Sequence, residues 1–172
     1  MAAPRLVVDG ERVRLRPVRP DDREALLRVF ADPTVVEWWG DAEESLREAL
    51  QPEDNATPFV VEADGAVAGF IQCYEEREPM YRRAAIDIAL HPDFAGRGLG
   101  PDAIRALARH LFTERGHHRL TIDPAVANLR AIAAYRRVGF QPVGVMRRYE
   151  RGPDGEWHDG LLMDMLAEDL QG

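Results

Sequence analysis

A glycine-rich turn between a predicted strand and a predicted helix constrains the fold of this chain more than any other feature. The segment from Leu90 to Gly100 reads LHPDFAGRGLG. Because glycine has no Cβ, the backbone there can turn tightly and come close to a ligand. The amide N–H groups of such a turn point outwards beside the positive end of the helix dipole. The pattern predicts an anion site suited to a pyrophosphate, to which Arg97 adds a positive charge.

The turn differs from two common phosphate-binding motifs. No Lys-Ser or Lys-Thr pair follows the glycines, as the GxxxxGK[ST] loop requires. The spacing is also not GxGxxG, and the segment comes too late in the chain for the first turn of a Rossmann unit. Glycines alone are equally compatible with a tight strand-to-helix turn that binds nothing. A second feature therefore has to decide between the two interpretations.

That second feature is the segment from Ile122 to Phe140, which is predicted as a strand, a loop and a helix. Asn128 is a residue type that caps helices, and its side chain is also available to a ligand. Tyr135 follows seven residues later, about two helical turns on, so the two side chains share one helix face. Without further context, a tyrosine at such a position is typical of core packing.

The hydrophobic pattern predicts one mixed α/β domain, residues 1–172, with a single central sheet. Asp64-Gly65 predicts a hairpin turn, Asp32-Pro33 is expected to end the first helix, and Val35–Gly40 is predicted as a loop. The element order is βααβββαβαββ. The predicted strands are 12–17, 59–62, 67–74, 84–90, 119–122, 143–149 and 160–165, and the predicted helices begin near 20 and lie around 46–50, 104–112 and 128–138.

Composition and charge exclude several classes of function. The formal net charge of −8 argues against nucleic acid, which needs a basic surface, and is compatible with a cationic small substrate. No apolar run approaches the ~20 residues of a membrane span, and Met1–Arg5 is not followed by the apolar segment of a secretory signal. We therefore expect no membrane partner and a cytoplasmic location.

Cysteine and histidine usage predicts no metal site. Cys73 is the single cysteine, which excludes an internal disulfide and a cysteine-rich zinc site, and we expect it to be a buried small hydrophobe. The five histidines lack a spacing that joins them to other metal ligands. His117 and His118 are expected on a solvated loop.

Taken together and in this order, the two motifs resemble the GCN5-related N-acetyltransferase (GNAT) superfamily. The resemblance covers the chain from about Val13 to Leu166, with one departure at Ala95, where the family often has Arg or Gln. It implies the GNAT fold, a central mostly antiparallel sheet with a splayed strand pair and flanking helices, and acetyl-CoA as donor. The cofactor-binding residues that it implies are Ile88, Ala89, Leu90, Ala95, Gly96, Arg97, Gly98, Leu99, Gly100, Asn128, Ala131 and Tyr135.

Within the superfamily, local matches look like the aminoglycoside 6′-N-acetyltransferases, which are antibiotic-resistance enzymes. The matches are Val36–Gly40, Thr57–Phe59, Ile86-Asp87 and the segment from Asp123 to Ile132. A polycationic aminosugar requires carboxylates aimed at its ammonium groups and an aromatic wall against the sugar. The substrate-binding residues implied are Glu37, Trp38, Trp39, Tyr74, Asp87, Asp123, Asp154 and Asp159.

Asp87 interrupts the apolar strand from Ala84 to Leu90. Burial of an unpaired carboxylate is costly, so a partner such as a substrate ammonium is expected, unless the strand face is half exposed. The resemblance implies direct transfer in a ternary complex, in which Asp87 orients the amine and accepts its proton. Backbone N–H groups near Ile88 to Leu90 hold the oxyanion, and Tyr135 donates a proton to the departing thiolate.

Two alternatives remain open at this point. One is another acceptor within the superfamily, such as lysine or hydroxylysine in siderophore precursors, or a protein amine. The other belongs to a different class, a CoA-binding or partner-binding module without catalysis. The presence of both Asp87 and Tyr135 favours an enzyme. The sequence predicts a monomer or a homodimer without deciding between them.

Overall fold

The computed structural model describes residues 6–172, so the predicted absence of a signal at Met1–Arg5 lies outside the described residues. Within them, no helix combines the length and apolar character needed to span a membrane. The helices are α1 (Arg23–Phe30), α2 (Pro33–Trp39), α3 (Ala42–Leu50), α4 (Leu99–Thr113) and α5 (Leu129–Val138). The strands are β1 (Val8–Asp9), β2 (Arg14–Pro17), β3 (Ala56–Ala63), β4 (Ala66–Glu76), β5 (Arg83–Leu90), β6 (Arg119–Ile122), β7 (Gln141–Arg151) and β8 (Trp157–Leu166).

All eight strands of the described chain join one sheet in the order β1-β2-β3-β4-β5-β6-β8-β7. Every neighbouring pair is antiparallel except β5 and β6, which are parallel. These two strands pair at Ala84↔Leu120 and Ala85↔Thr121 and then separate. The predicted mixed α/β fold, with a mostly antiparallel sheet and a splayed strand pair, is confirmed. The splay leaves the edge of residues 86–90 that faces β6 without a paired strand in the described chain.

Helices cover both faces of the sheet, and the two-residue period of the strands separates two cores. On one face, Ile71 and Ile86 join the apolar side of α4 and Val138 at the end of α5. On the other face, Phe70 and Ala89 pack against apolar residues of α1, α2 and α3. Asp87 has the same parity as Ala89 and therefore lies on the α1–α3 face.

The predicted loop at residues 35–40 is wrong, because these residues belong to α2. Asp32-Pro33 does not only end α1: the Asp32 carboxylate accepts a hydrogen bond from the Thr34 N–H at 2.9 Å and caps a second helix. Proline is favoured in the first turn of a helix, where its missing N–H costs nothing. Gly40, with φ of 81°, ends α2. Trp38 and Trp39 therefore stand on a helix.

His117 does not lie on a solvated loop as predicted, although the neighbouring His118 is exposed. The His117 side chain is buried beneath β4, where its Nε2 lies 2.7 Å from the Glu75 carboxylate. Arg115 donates a second hydrogen bond to the same carboxylate at 2.6 Å. These two partners hold the pKa of Glu75 below its usual range against the effect of burial. Cys73 is buried as predicted, and burial raises the pKa of its thiol to about 11.

The first turn of α4 is tied to the N-terminal hairpin by one carboxylate. Asp102 accepts hydrogen bonds from the amides of Glu11, Arg12 and Val13 at 3.0, 2.8 and 3.0 Å. Three backbone donors satisfy this buried side chain, as a charged group in the interior requires. The contact fixes the position of the glycine-rich turn, which comes immediately before α4.

Candidate active site

A cavity of about 910 Å³ lies at the splay between β5 and β6. Its walls include Trp39 and Tyr74 from the α1–α3 side and Leu99 and Tyr135 from the α4–α5 side. Because both faces of the sheet contribute, the cavity passes through the opening between the two strands. A donor and an acceptor can therefore enter from opposite sides and meet beside β5.

The glycine-rich turn has the geometry expected of an anion site. Gly96 and Gly98 have φ of 72° and 77°, in the left-handed region that favours glycine. Gly98 is the N-cap of α4, so the amides around it point away from the helix. The amides of residues 96–100 donate to no other described group. Unbonded donors at the positive end of a fifteen-residue helix form a site for a phosphate group.

One positive charge beside this turn comes from a residue that sequence reasoning did not select. Arg97 forms an ion pair with Asp64, and its side chain is not among those that line the cavity. Arg130, in the first turn of α5, does line the cavity, and its Nη2 lies 3.8 Å from the Cβ position of an alanine placed at Gly96. Arg130 therefore lies beside the anion site. Ala95 also lines the cavity, at the start of the turn.

Asn128 and Tyr135 lie on the cavity side of α5, as the seven-residue spacing predicts. The Asn128 side-chain oxygen accepts a hydrogen bond from the Ala131 N–H at 3.2 Å, which confirms it as the helix cap. Burial, followed by the nearby Asp87 and Asp123, raises the pKa of the Tyr135 phenol well above its usual range. The phenol therefore keeps its proton at neutral pH and is suited to be an acid.

These features fit acetyl-CoA, with the pyrophosphate at residues 96–100 and the pantetheine arm along the open edge of β5. An extended chain of amides beside an unpaired strand edge can form the hydrogen bonds that a neighbouring strand would otherwise form. Ile88, Ala89 and Leu90 line the cavity along that edge. When bound there, acetyl-CoA would supply the acetyl thioester next to Asp87.

Asp87 is a carboxyl of the cavity whose pKa lies well above its usual range. Burial, with a second contribution from the negative charge of Asp123, raises the pKa of Asp87 to about 7. The side-chain amide of Gln72, which faces Asp87 across β4 and β5, opposes this rise. A carboxyl with a pKa near the working pH can accept a proton from an ammonium and pass it on.

Two further carboxylates face Asp87 from other elements. Asp123 follows β6, and Glu150 belongs to β7; both line the cavity. Burial raises the pKa of Asp123, and a 2.6 Å hydrogen bond from the Tyr149 hydroxyl opposes this effect. Burial and the charge of Asp123 raise the pKa of Glu150. This cluster of negative charge would be neutralised by an ammonium ligand.

The two neighbouring tryptophans have different environments. Trp39 packs against Phe30 and Phe70, with ring centroids 5.6 and 5.9 Å apart, so it belongs largely to the second core. Trp38 is 36% exposed and is the tryptophan more open to a ligand. Both line the cavity, together with Glu37 and Tyr74. Burial, with the nearby negative charge of Asp87, raises the pKa of Tyr74 to about 12.

Asp154 and Asp159 are not brought together with the other expected substrate residues. The Asp154 carboxylate pairs with His158 at 2.8 Å at the exposed tip of the β7–β8 hairpin. Asp159 accepts a hydrogen bond from the Arg148 backbone N–H at 2.7 Å and lies outside the main cavity. The hairpin is longer than predicted, since β7 continues to Arg151 and β8 begins at Trp157.

Sequence reasoning missed Glu48, Gln72, Arg130, Tyr149 and Glu150. Glu150 belongs to the carboxylate-rich segment 149–159. Neighbouring side chains of a strand point to opposite faces, but the sequence does not indicate whether Tyr149 or Glu150 faces the cavity. Glu48 lies on the polar side of α3, where an acidic residue is typical of a solvated helix face. Arg130 is the only one with a local signal, because it lies two residues after the Asn128 cap.

The sequence model of the family described as "Acetyltransferase (GNAT) domain" matches residues 12–141 of this chain. Aminoglycoside N(6′)-acetyltransferase type 1 of Klebsiella pneumoniae is 29% identical over 85% of this chain and 80% of its own length. Streptothricin acetyltransferase of Streptomyces lavendulae is 34% identical over 84% and 77%. Spermidine N(1)-acetyltransferase of Escherichia coli K12 is 26% identical over 88% and 84%.

Solved structures with the same fold bind the expected coenzyme. Mycobacterium smegmatis RimJ in complex with CoA-disulfide is 28% identical, with a TM-score of 0.84, over 97% of this chain and 90% of that chain. AAC(6′)-Ib in complex with acetyl-CoA is 25% identical, with a TM-score of 0.75, over 92% and 96%. The cavity at the splayed strands, the amide turn before α4 and these likenesses lead to one conclusion. The chain belongs to the GNAT acetyltransferase family.

Proposed function

We propose that this protein transfers the acetyl group of acetyl-CoA to a primary amine of a polycationic small molecule, the 6′-amine of an aminoglycoside. The observation that carries the proposal is the charge of the cavity wall. Its five carboxylates belong to Glu37, Glu48, Asp87, Asp123 and Glu150. Carboxylates on several elements around one opening bind a ligand with several ammonium groups better than a ligand with one. The three relatives described above are named for acetylation of an aminoglycoside, spermidine and streptothricin.

The amine loses its proton before it can attack, and Asp87 accepts that proton directly or through one water. A pKa of about 7 allows Asp87 to be ionised when the substrate binds and to accept a proton during the reaction. The nitrogen then forms a bond to the thioester carbonyl carbon, and the C–S bond breaks. Tyr135 donates its phenolic proton to the thiolate, and the second proton of the bonded nitrogen returns to the Tyr135 phenolate through water. The products are therefore a neutral amide and a neutral thiol, with the first proton on Asp87. Cys73 is buried and forms no covalent intermediate in this scheme.

The backbone supplies the electrostatic part of catalysis. The backbone groups of Ile88 and Leu90 lie on the strand edge that faces away from β4 and is open after the splay, because the Ala89 carbonyl between them is directed towards Gly69 of β4. Amide N–H groups on this edge are fixed by the sheet and therefore need no reorganisation when charge develops on the carbonyl oxygen. Asp87, on the same strand, orients the attacking amine.

A panel of amines with acetyl-CoA tests the proposal. Steady-state rates of thiol release are compared for a kanamycin-type aminoglycoside and for a matched compound in which a hydroxyl replaces the 6′-amine. We expect turnover with the first and a loss of at least a hundredfold in kcat/KM with the second. NMR of the product identifies the acetylated nitrogen. Equal turnover with both compounds would refute the 6′-amine as acceptor.

A linear polyamine is the second candidate acceptor, because the same carboxylates suit it and one relative is named for spermidine. Spermidine has no sugar ring, so its contact with Trp38 is limited to the attraction between an ammonium group and the face of the ring. In this case Trp38→Ala should raise the KM for spermidine less than it raises the KM for the aminoglycoside. Lysine derivatives and a peptide with a free α-amine complete the panel. Binding of acetyl-CoA without turnover on any amine would indicate a non-catalytic module.

A further inference from the structure

The hydroxyl of Tyr149 donates a hydrogen bond to the Asp123 carboxylate at 2.6 Å. The two residues come from different elements, since Tyr149 belongs to β7 and Asp123 follows β6. In the sheet order, β8 lies between these strands, so the tyrosine ring reaches across a whole strand. Such a contact depends on the tertiary structure and has no local sequence signal. It gives Asp123 a fixed partner on the side of β7.

A bulge in β7 aims the tyrosine at this target. The pairing of β7 with β8 shifts between Met146 and Glu150, and Arg148 within the shift has φ of 49°. Bulges bend a strand and re-aim its side chains, and they are common near active sites. The Arg148 N–H donates to the Asp159 carboxylate at 2.7 Å, which holds the bulge from β8. Asp159, expected to bind substrate, therefore stabilises the backbone next to Tyr149 instead.

Gly160 in β8 leaves room for the ring. A Cβ at Gly160 would lie 2.8 Å from Cδ1 of Tyr149, closer than carbon atoms approach without a shift. The same part of β8 holds the segment after Asp123, because the Leu161 N–H donates to the Pro124 carbonyl at 2.8 Å. The Val126 N–H donates to the Asp159 carbonyl at 2.9 Å. Both partners of the Tyr149–Asp123 contact are thus held against one strand.

The charges around Asp123 explain why this contact matters. Asp87 on β5 and Glu150 on β7 are negative groups that interact with Asp123, and Tyr135 on α5 lies within range of its charge. Burial and negative neighbours both favour protonation of a carboxylate. The phenol of Tyr149 donates to the ionised form and opposes protonation. A protonated Asp123 would no longer attract an ammonium group.

We propose that Tyr149 is a positioning residue, which holds the Asp123 carboxylate in place for an ammonium group of the acceptor distant from the one acetylated. The inference rests on the proposed polycationic acceptor. Tyr149 itself need not touch the substrate. Its effect is on acceptor binding and leaves the coenzyme and the chemical step largely unchanged.

Kinetics of Tyr149→Phe test this role. Loss of a hydrogen bond to a charged group typically weakens binding about tenfold or more, so we expect KM for the polycationic acceptor to rise about tenfold at pH 7. The rise should become larger as the pH is lowered, because Asp123 is protonated more readily in the variant than in the wild type. We expect kcat and the KM for acetyl-CoA to change less than twofold. Tyr81→Phe, at a side chain that is 71% exposed, is the matched control and should match the wild type.

Gly160→Ala provides an independent variant that retains the phenol. The added methyl group displaces the ring from Asp123, so the acceptor KM should rise as in Tyr149→Phe. If both variants keep the wild-type acceptor KM at every pH, the proposal is overturned. A loss that falls equally on kcat and on both KM values, in proportion to a lower Tm, would show a merely structural role and would also overturn it.

A readout without substrate separates this inference from the proposed function. Titration of the Asp123 carboxyl carbon by NMR should give a higher midpoint in Tyr149→Phe than in the wild type, with no change in Tyr81→Phe. An unchanged midpoint refutes the contact, whichever amine is the substrate. A raised midpoint in a protein that acetylates no amine of the panel would support the contact and refute the proposed function.

Discussion

Asp87 lies directly opposite Gln72 in the antiparallel register of β4 and β5, and both side chains line the cavity between the splayed strands. Gln72 is itself held by a 2.7 Å hydrogen bond from its Nε2 to the Tyr74 hydroxyl. Asp87 thus has one neutral partner and several negative neighbours, and its pKa rises to about 7. The pairing predicts how both the activity and the stability of the protein respond to pH.

The rate of acetyl transfer should rise with pH through about 7, because Asp87 must be ionised to accept the proton of the amine. Asp87→Asn should lower kcat by roughly 10²–10⁴-fold, the usual contribution of a general base. Profiles of kcat against pH, measured at saturating acetyl-CoA, check both statements. A variant that keeps the rising limb near pH 7 would exclude Asp87 as the base.

Asp87→Asn should also change how stability depends on pH. Folding raises the pKa of Asp87 from its ordinary value near 3.8 to about 7. The stability of the folded state therefore falls as the pH rises between these two values. An asparagine side chain at this position does not ionise, so the variant does not lose this stability as the pH rises. From pH 5 to pH 8, the free energy of unfolding of the variant should therefore gain about 2–3 kcal/mol relative to the wild type. Urea denaturation at both pH values measures it, with Asp21→Asn, at an exposed carboxylate, as control.

Tyr135→Phe should lower kcat about a hundredfold and leave the Kd for acetyl-CoA nearly unchanged. The phenol has a raised pKa and can donate a proton to the thiolate, which phenylalanine cannot do. The ring itself packs edge-on against Phe140, with centroids 6.3 Å apart, and phenylalanine preserves this contact. Isothermal titration gives the Kd, and initial rates give kcat. Wild-type turnover in the variant would remove Tyr135 from the role of acid.

Gly98→Ala should weaken acetyl-CoA binding at least tenfold. Its φ of 77° strains any residue with a Cβ, by about 1–2 kcal/mol, and relief of this strain would turn the amides away from the pyrophosphate. Gly155 at the β7–β8 hairpin tip has φ of 80° and is the matched control. Gly155→Ala should cost similar stability without any change in the Kd. Equal Kd values for the two variants would contradict the assignment of the turn.

Trp38→Ala and Trp39→Ala should have different consequences. Trp38 is the more exposed of the two, so its loss should raise the aminoglycoside KM about five- to tenfold with little effect on Tm. Trp39 packs against Phe30 and Phe70, and its loss should lower the free energy of unfolding by about 3 kcal/mol. Thermal unfolding and steady-state kinetics on both variants separate these roles. The reverse pattern would assign the substrate wall to Trp39.

Several parts of the fold and of the candidate site follow from sequence because they depend on residues close together in the chain. Asp64 and Gly65 have φ of 52° and 75°, the left-handed values that the hairpin signal predicts. Asn128 caps α5 through the Ala131 amide. Each of these outcomes is decided by backbone dihedral angles and hydrogen bonds within a few residues.

The prediction of a loop at residues 35–40 was wrong because the same local residues are compatible with two structures. Asp32-Pro33 ends one helix and equally caps the next, and only the packing of α2 against the second core selects the helix. The two tryptophans differ in environment although both belong to the same helix. On α2 they are successive helical residues, and Trp39 is the one turned towards Phe70.

The sequence by itself determined most of the strands and helices, the tight glycine turn before α4 and the spacing of Asn128 and Tyr135, since these arise from short-range backbone chemistry. The tertiary structure alone decided which carboxylates meet: Glu48 and Glu150 line the cavity, while Asp154 and Asp159 do not. It also placed Asp87 where burial and Asp123 raise its pKa. Strand pairing, the splay of β5 from β6 and the bulge in β7 bring together residues far apart in the chain, and no local pattern encodes that convergence.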